Sequence, residues 1–149
     1  MKIKIVCVGK KHESWVKEGI EEFTKRLRQP FAAEFIILPN SSKPEIARDD
    51  ESERILRQLD QNSWVILLDE RGKNLSSPEL KEVIIENTQQ QLVIVIGGAY
   101  GVNDEFRARA NLIWSLSRLV FPHQLVRLIL TEQLYRAQEI HKGSSYHHN

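Results

Sequence analysis

The sequence predicts an α/β fold with a mostly parallel β-sheet flanked by helices. Apolar runs typical of buried strands alternate with segments in which apolar residues recur every three or four positions, as in amphipathic helices. The clearest strand, residues 92–96, contains no polar residue, which is typical of a strand covered on both faces. It ends at Gly97-Gly98, where the backbone can turn sharply. With 149 residues and no Pro/Gly-rich linker, the chain is predicted to form one domain, residues 1–149.

The composition is that of an ordinary globular protein. No apolar run approaches the roughly 20 residues that a membrane span requires. The N-terminus has a short apolar run without a small-residue cleavage site, so we expect a first strand, not a signal peptide, and a cytoplasmic protein. The net charge of +1 does not indicate a nucleic-acid binder, although basic residues are concentrated in residues 1–28. The single cysteine, Cys7, is predicted to be a buried apolar residue.

Periodicity defines the elements of the first half of the chain. Residues 2–8 alternate lysine with isoleucine before becoming apolar, which predicts a strand that enters the core. From Glu13, apolar residues recur at helical spacing, which predicts an amphipathic helix that Pro30 stops. The charged stretch 44–60 predicts a solvent-facing helix whose first half is either helix or loop. The other two strands predicted here are residues 31–38 and 63–68.

The second half continues the alternation. Ser76, with proline in the first turn and an early glutamate, predicts a helix start, and this helix runs to about Asn87. The remaining predicted elements are a short helix from Asn103 or Asp104 to Ala110, a strand over 112–115, a loop over 116–121 and a long helix from Pro122 to Lys142. The long helix is apolar all round, so it is either central to the core or covered by a partner subunit. A dimer is the simpler interpretation.

The glycine loop after strand 92–96, residues 97–101, is the first candidate site. It either holds a nucleotide-like ligand through main-chain groups or is a tight turn for steric reasons. It is not a dinucleotide-binding fingerprint, because it lacks the G-x-G-x-x-G spacing. It is not a P-loop either, because no Gly-Lys-Ser/Thr follows.

Charged residues at strand ends are weaker candidates. Asp69 and Glu70 follow strand 63–68 and are either an acid and base pair or an ordinary charged turn. Arg118 interrupts an apolar loop and either meets an anionic ligand or reaches solvent. His123 stands before a helix, where helix capping explains it.

The histidines and tryptophans are otherwise predicted to be structural. No metal site is predicted, because the neighbouring C-terminal histidines lack ligand spacing and there is no second cysteine. The tail, residues 144–149, either contacts a substrate or is mobile, as chain ends usually are. Trp15, Trp64 and Trp114 fall within helix or strand patterns, so we expect them in the core and not as stacking platforms.

Several short motifs occur in order along the whole chain. They are residues 2–5 (KIKI), 8–10 (VGK), 68–69 (LD), 72–73 (GK), 96–101 (IGGAYG), 114–117 (WSLS), 122–123 (PH), 126–127 (VR), 132–137 (EQLYRA) and 146–148 (YHH). Together they resemble the bacterial pseudouridine N3-methyltransferases of 23S ribosomal RNA, which belong to the SPOUT superfamily. The resemblance implies a C-terminal deep trefoil knot, an obligate homodimer and S-adenosyl-L-methionine as cofactor.

The substrate implied by the resemblance is a pseudouridine in 23S rRNA of the assembled ribosome, methylated at N3. Neither a metal nor a membrane is implied. Apart from this enzyme, two other functions stay open: a non-catalytic ribosome-binding factor and a flavodoxin-like nucleotide-binding module.

The resemblance also implies the site residues. Tyr146 and His147 are the implied catalytic residues, which position the pseudouridine or remove its N3 proton. His148 stands where relatives often carry arginine, and a neutral histidine holds phosphate less firmly. The implied cofactor contacts are Leu68, Gly98, Leu116, Ser117, Arg118, Leu119, Val120 and Phe121.

Overall fold

The computed structural model describes residues 1–148 and contains one sheet of five parallel strands. The strands are β1 (Ile3–Val8), β2 (Ala33–Leu38), β3 (Ser63–Asn74), β4 (Gln91–Ile96) and β5 (Leu112–Ser115). The α-helices are α1 (Ser14–Thr24), α2 (Ala47–Leu56), α3 (Ser77–Glu86), α4 (Asp104–Arg109) and α5 (His123–Lys142). The predicted α/β class and its alternation of strands and helices are confirmed.

The strand order is β2-β1-β4-β3-β5. A flavodoxin-like sheet has the order 2-1-3-4-5, so the flavodoxin-like alternative is wrong. Here β4 lies between β1 and β3, and Ile96 at its carboxyl end pairs with both Cys7 and Leu68. The carboxyl ends of β1 and β4 therefore lie beside the start of the β3 bulge, in the middle of the sheet. The trefoil knot stays a prediction.

Helices cover both faces of the sheet. On one face Ile3, Ile5 and Ile94 pack in a core cluster with apolar residues of α3 and α5, such as Leu80 and Leu130. On the other face, a second cluster packs the valines of β1, β3 and β4 against residues of α2 and α4. Strand β4 is thus buried on both faces, as its wholly apolar sequence predicts.

Cys7 lies in the first of these clusters and is fully buried, as predicted. Burial raises the pKa of its thiol to about 12, although the charge of Arg127 acts in the opposite direction. The thiol is therefore protonated at neutral pH and unreactive while the chain is folded.

Strand β3 differs from the prediction, which ended it at residue 68 and made 69–73 a loop. It continues to Asn74, and Trp114 of β5 pairs with both Leu68 and Lys73, so the residues between them bulge out. This extension is mostly exposed, which explains its charged composition. Gly72 is essential to it, because a Cβ atom there would lie 2.7 Å from the backbone carbonyl of Ile113.

Two helix predictions have different outcomes. The start of α3 is confirmed: Ser76 Oγ accepts from the Glu79 N–H, and Glu79 Oε1 accepts from the Ser76 N–H. The stretch 44–60, predicted as a helix whose first half is helix or loop, begins with a short 3-10 turn, Pro44–Ile46, and continues as the helix α2.

The prediction of a core position is right for Trp114 and wrong for Trp15. Trp114 is 3% exposed, whereas Trp15 is 54% exposed. Trp64 is half-buried and packs against the core. Trp15 stands in the first turn of α1 and its Nε1 donates to Glu13 Oε2 at 2.7 Å, so the indole is held at the surface.

The substitution Gly72→Ala should destabilise the fold by about 1–3 kcal/mol, because the new methyl group collides with backbone that cannot move aside. Gly19→Ala is the matched control. Its Cβ would meet the end of the flexible Leu128 side chain, so its cost should be smaller. Urea unfolding of the three proteins measures both changes, and equal stability of Gly72→Ala and wild type would contradict the close approach of β3 and β5.

Candidate functional site

A cavity of about 630 Å³ lies beside the β3 bulge and the carboxyl ends of β4 and β5. In an open parallel sheet this is where ligands bind, because the strand-end loops converge there. Its lining comes from residues 67–71 of β3, residues 96–102 around the glycine loop, residues 115–117 and 119–121 of the loop after β5, Arg48 and Val126.

The glycine loop folds into a tight turn. The Gly101 N–H donates to the Gly98 carbonyl at 3.0 Å, and Gly101 has φ +76°, which favours glycine. Arg48 Nε donates to the Tyr100 carbonyl at 3.1 Å. Within residues 1–148, no acceptor meets the backbone N–H groups of Gly98, Ala99 or Tyr100. These N–H groups are available to a ligand.

The buried carboxylate of Glu51 leaves no room for a side chain at position 98. A Cβ atom at this position would lie 2.6 Å from Glu51 Oε1 and 3.3 Å from Val8 Cγ1. Glu51 is 2% exposed, and its Oε2 accepts from the Ser41 N–H at 2.8 Å. Its Oε1 has no hydrogen-bond partner in the part of the chain that the structure describes. Any side chain at position 98 would therefore push against Glu51 and displace the loop.

Glu51 was not predicted as a site residue, although the sequence carries a signal for its burial. Ala47, Glu51 and Ile55 stand at i, i+4 and i+8, so they share the buried stripe of α2. A charged residue on the buried stripe of a helix is unusual, so it indicates a specific role.

The loop after β5, residues 116–121, is held by short-range hydrogen bonds. Ser115 Oγ donates to the Ser117 carbonyl at 2.8 Å, and Ser117 Oγ accepts from the Leu119 N–H at 3.0 Å. Leu119 and Val120 line the cavity and are 69% and 79% exposed, so this wall is apolar and open to solvent.

Asp69 lies at the charged end of the cavity and is paired. It accepts from Arg107 Nη1 at 2.7 Å and from the Arg71 N–H at 2.8 Å. Burial raises the pKa of Asp69, but the hydrogen bonds from Arg71 and Arg107 outweigh burial and hold it below its usual value. An ionised, paired carboxylate is a poor general base, so the interpretation of Asp69 with Glu70 as an acid and base pair is not favoured.

A buried arginine of α5, Arg127, holds the glycine loop in place through His123. Arg127 is fully buried; its Nε donates to His123 Nδ1 at 3.2 Å and its Nη1 donates to the Lys10 carbonyl at 2.8 Å. Because His123 Nδ1 accepts, its Nε2 carries the proton and donates to the Gly97 carbonyl at 3.0 Å. The expectation that His123 caps a helix is wrong, since its ring links α5 to the glycine loop instead.

His12 completes this group, and its Nδ1 lies 3.2 Å from Arg127 Nη1. Burial lowers the pKa of both His12 and His123, and the charge of Arg127 lowers it further. Both rings are therefore neutral at pH 7 and can accept hydrogen bonds from the guanidinium.

The tail lies along α5, away from the cavity lining. The Tyr146 hydroxyl donates to Glu132 Oε2 at 2.8 Å, and its ring lies under the Arg136 guanidinium and beside the Tyr135 ring. Arg136 Nη1 also lies 3.2 Å from His147 Nδ1. Burial and the Glu132 carboxylate raise the pKa of Tyr146.

The structure brings most of the expected cofactor residues together. Those that line the cavity are Leu68, Gly98, Leu116, Ser117, Leu119, Val120 and Phe121. The side chain of Arg118 is exposed and does not line it, so of the two interpretations of Arg118 the structure favours the one that reaches solvent. The two expected catalytic residues, Tyr146 and His147, are likewise absent from the lining of the described chain.

Residues 1–148 contain neither a metal-binding cluster of side chains nor a membrane-spanning helix. No cluster of three or more His, Cys, Asp or Glu side chains is arranged to hold a metal ion. None of the helices in the same range is long and apolar enough to cross a membrane.

The chain is similar to known proteins along its full length. The family described as Predicted SPOUT methyltransferase matches residues 1–147. Ribosomal RNA large subunit methyltransferase H of Geobacter metallireducens is 44% identical over 154 residues, which cover 100% of both chains. The protein of the same name from Clostridioides difficile is 42% identical over 158 residues, covering 99% of each. The match to a solved SpoU methyltransferase, AviRb from Streptomyces viridochromogenes, covers 93% of this chain and 58% of the AviRb chain. The two are 13% identical, with a TM-score of 0.47.

The chain therefore belongs to the SPOUT methyltransferase family. Within that family, the relatives that it matches along its whole length share the name ribosomal RNA large subunit methyltransferase H.

Asp69 should stabilise the fold only where its carboxylate is ionised. The pKa of Asp69 is lower in the folded chain than in the unfolded chain. Such a carboxyl group stabilises the fold fully above its unfolded pKa, roughly 3.9, and this stabilisation is lost as the pH falls through the folded pKa. Asp69→Asn should therefore be less stable than wild type at pH 7, and the difference should shrink below about pH 4. Urea unfolding across this range, with Glu70→Gln as the exposed neighbouring control, tests this. A difference that does not change with pH would contradict the ion pair.

Proposed function

We propose that this chain is an S-adenosyl-L-methionine-dependent methyltransferase that methylates N3 of a pseudouridine in 23S rRNA of the assembled ribosome, in the cytoplasm. Its family membership supports methyl transfer. The name of its relatives supports large-subunit rRNA as the substrate. The observation that carries the proposal is the strand-end cavity, whose walls suit a nucleoside.

The cavity fits the cofactor in size and chemistry. Its volume of about 630 Å³ falls within the usual range of small-molecule sites, roughly 300–1,000 Å³. Leu68, Leu116 and Phe121 supply apolar surface for an adenine ring, and the backbone N–H groups of residues 98–100 supply donors for polar atoms. S-adenosylmethionine, when bound, supplies a methyl group on a sulfonium that is already electrophilic. The protein then has to align N3 with this methyl group and remove the N3 proton.

Tyr146 and His147 divide these tasks in our proposal. The Tyr146 hydroxyl donates to Glu132, and its raised pKa keeps it protonated at neutral pH, so it is unsuited to proton removal. We assign substrate positioning to Tyr146 and proton removal to His147. Because His147 Nδ1 accepts from Arg136 here, this nitrogen has to be released from Arg136 before it can take the N3 proton. A base within hydrogen-bond reach of the N3–H would be sufficient, because the methyl donor is already activated.

The separation of tail and cavity supports a homodimer with shared sites. Val126 lines the cavity, whereas Tyr146 is held at Glu132, about 9 Å further along α5 at 1.5 Å per residue. In the proposed dimer the tail of one subunit completes the cavity of its partner. The exposed apolar residues Leu119 and Val120 at the cavity rim support such an interface.

Methyl transfer tests the function directly. The purified protein should transfer a labelled methyl group from S-adenosylmethionine to ribosomes isolated from a strain without the gene, and mass mapping should place it on a pseudouridine of 23S rRNA. Ribosomes from the parent strain, already methylated, are the control and should accept little label. Cofactor binding by calorimetry without methyl transfer would instead favour a non-catalytic ribosome-binding factor.

Mixed dimers should recover activity from two inactive chains. Gly98→Val should abolish cofactor binding, because its side chain collides with Glu51 and displaces the loop. Deletion of residues 146–149 should spare cofactor binding and abolish methyl transfer. A dimer of one chain of each kind retains one complete site, so it should show about half of wild-type activity, since a two-fold dimer has two equivalent sites.

Differently tagged chains, co-expressed and purified through both tags, provide these mixed dimers. Each homodimer of a defective chain serves as the matched control and should be inactive. Inactive mixed dimers would show that each tail serves the cavity of its own chain.

A further inference from the structure

A surface formed by Lys10, Lys11 and Trp15 takes no part in the cavity or the tail. Both lysines are exposed, and Trp15 is 54% exposed. None of the ion pairs within residues 1–148 involves either lysine. Two lysines outside these ion pairs therefore precede an exposed indole by five and four residues, and we call these three residues the lysine–tryptophan surface.

The lysine–tryptophan surface lies close to the cavity. The loop that carries the lysines follows β1, and the glycine loop follows β4, which pairs with β1 up to Cys7 and Ile96. His123 contacts both loops: its Nε2 lies 3.0 Å from the Gly97 carbonyl, and its Cε1 lies 4.0 Å from the position of a Cβ atom on Gly9. A strand of RNA that places a base in the cavity would pass near the lysines.

The backbone of this surface is fixed in advance. Arg127 donates to the Lys10 carbonyl at 2.8 Å, and Gln124 Nε2 donates to the Lys11 carbonyl at 3.3 Å. The Glu13 N–H donates to Gln124 Oε1 at 3.0 Å. Binding would therefore order little main chain, which lowers the entropic cost of association.

The local charge favours an anion. Arg127 is fully buried and bonds to a carbonyl and two neutral histidines, with no carboxylate paired to it among the described residues. Its charge adds to those of the two lysines. The nearby acidic groups include Glu13, which is bonded to the Trp15 indole, Glu18, one turn after Trp15 on α1, and Glu21, whose charge opposes the lowering of the His12 pKa.

We propose that the lysine–tryptophan surface binds single-stranded RNA, with Lys10 and Lys11 on phosphates and a base stacked on Trp15. An aromatic side chain beside basic residues is the usual means of holding a single strand, because bases stack and phosphates pair with cations. A second copy of the chain would cover the indole but would leave the two lysine charges unexplained. The inference rests on the proposed function, since it assigns the substrate RNA to a surface beside the proposed site.

Binding to large ribosomal subunits and to a single-stranded RNA oligonucleotide tests this surface at several salt concentrations. Lys10→Ala with Lys11→Ala should flatten the slope of log affinity against log salt by about 1.4, from roughly 0.7 per phosphate contact of a single strand. Trp15→Ala should weaken binding roughly 5- to 150-fold, and Trp15→Phe should retain most of it because the ring still stacks.

Lys25→Ala with Arg57→Ala is the matched control. It removes the same charge from exposed side chains that are already paired with Glu22 and Glu53, so its salt slope should change less. An equal slope for both double variants would overturn the proposal, as would dissociation of the dimer by Trp15→Ala.

Methyl transfer by the wild-type chain, measured in parallel, separates this proposal from the proposed function. If the wild-type chain transfers the methyl group and the variants still bind RNA normally, the proposed RNA-binding surface is wrong and the proposed function stands. If the variants lose RNA binding but the wild-type chain transfers no methyl group, the RNA-binding surface stands and the proposed function is wrong.

Discussion

The site depends on the buried guanidinium of Arg127. It binds the loop after β1 through the Lys10 carbonyl and reaches the glycine loop through His123, so one side chain of α5 fixes two strand-end loops. Burying a cation without a carboxylate is costly and is tolerated only when its donors find good acceptors. The low pKa values of His12 and His123 keep these acceptors neutral. The cavity wall and the helix that follows it are therefore one connected unit.

Features that depend on local pattern could be predicted from the sequence. Strand β4 was predicted over 92–96 and runs Gln91–Ile96, and the helix predicted to end at Lys142 is α5. The start of α3 was also predicted, because a capping box is made by residues three apart. Seven of the eight residues expected to contact the cofactor line one cavity, since they lie on β3 at its bulge or on the loops that follow its neighbours β4 and β5.

Features that depend on long-range contacts could not be predicted. The extension of β3 is charged and exposed, and only its pairing with β5 makes it a strand. Glu51 borders the glycine loop because α2 packs over that end of the sheet, and no local pattern shows its distance to Gly98. The distance between Tyr146 and the cavity likewise follows from the path of α5. Local composition also misplaced Trp15, since a helical period does not say which side of the first turn faces the core.

The buried thiol of Cys7 gives the fold a built-in reporter. It is the one cysteine in the sequence, it lies in a strand with neighbours on both sides, and burial raises its pKa to about 12. A thiol reagent therefore modifies Cys7 only when the core around it opens, through the covering helices or the sheet itself. The rate of labelling at a single atom measures how often this part of the core opens, and adding a ligand of the strand-end cavity shows whether occupancy of the cavity slows that opening.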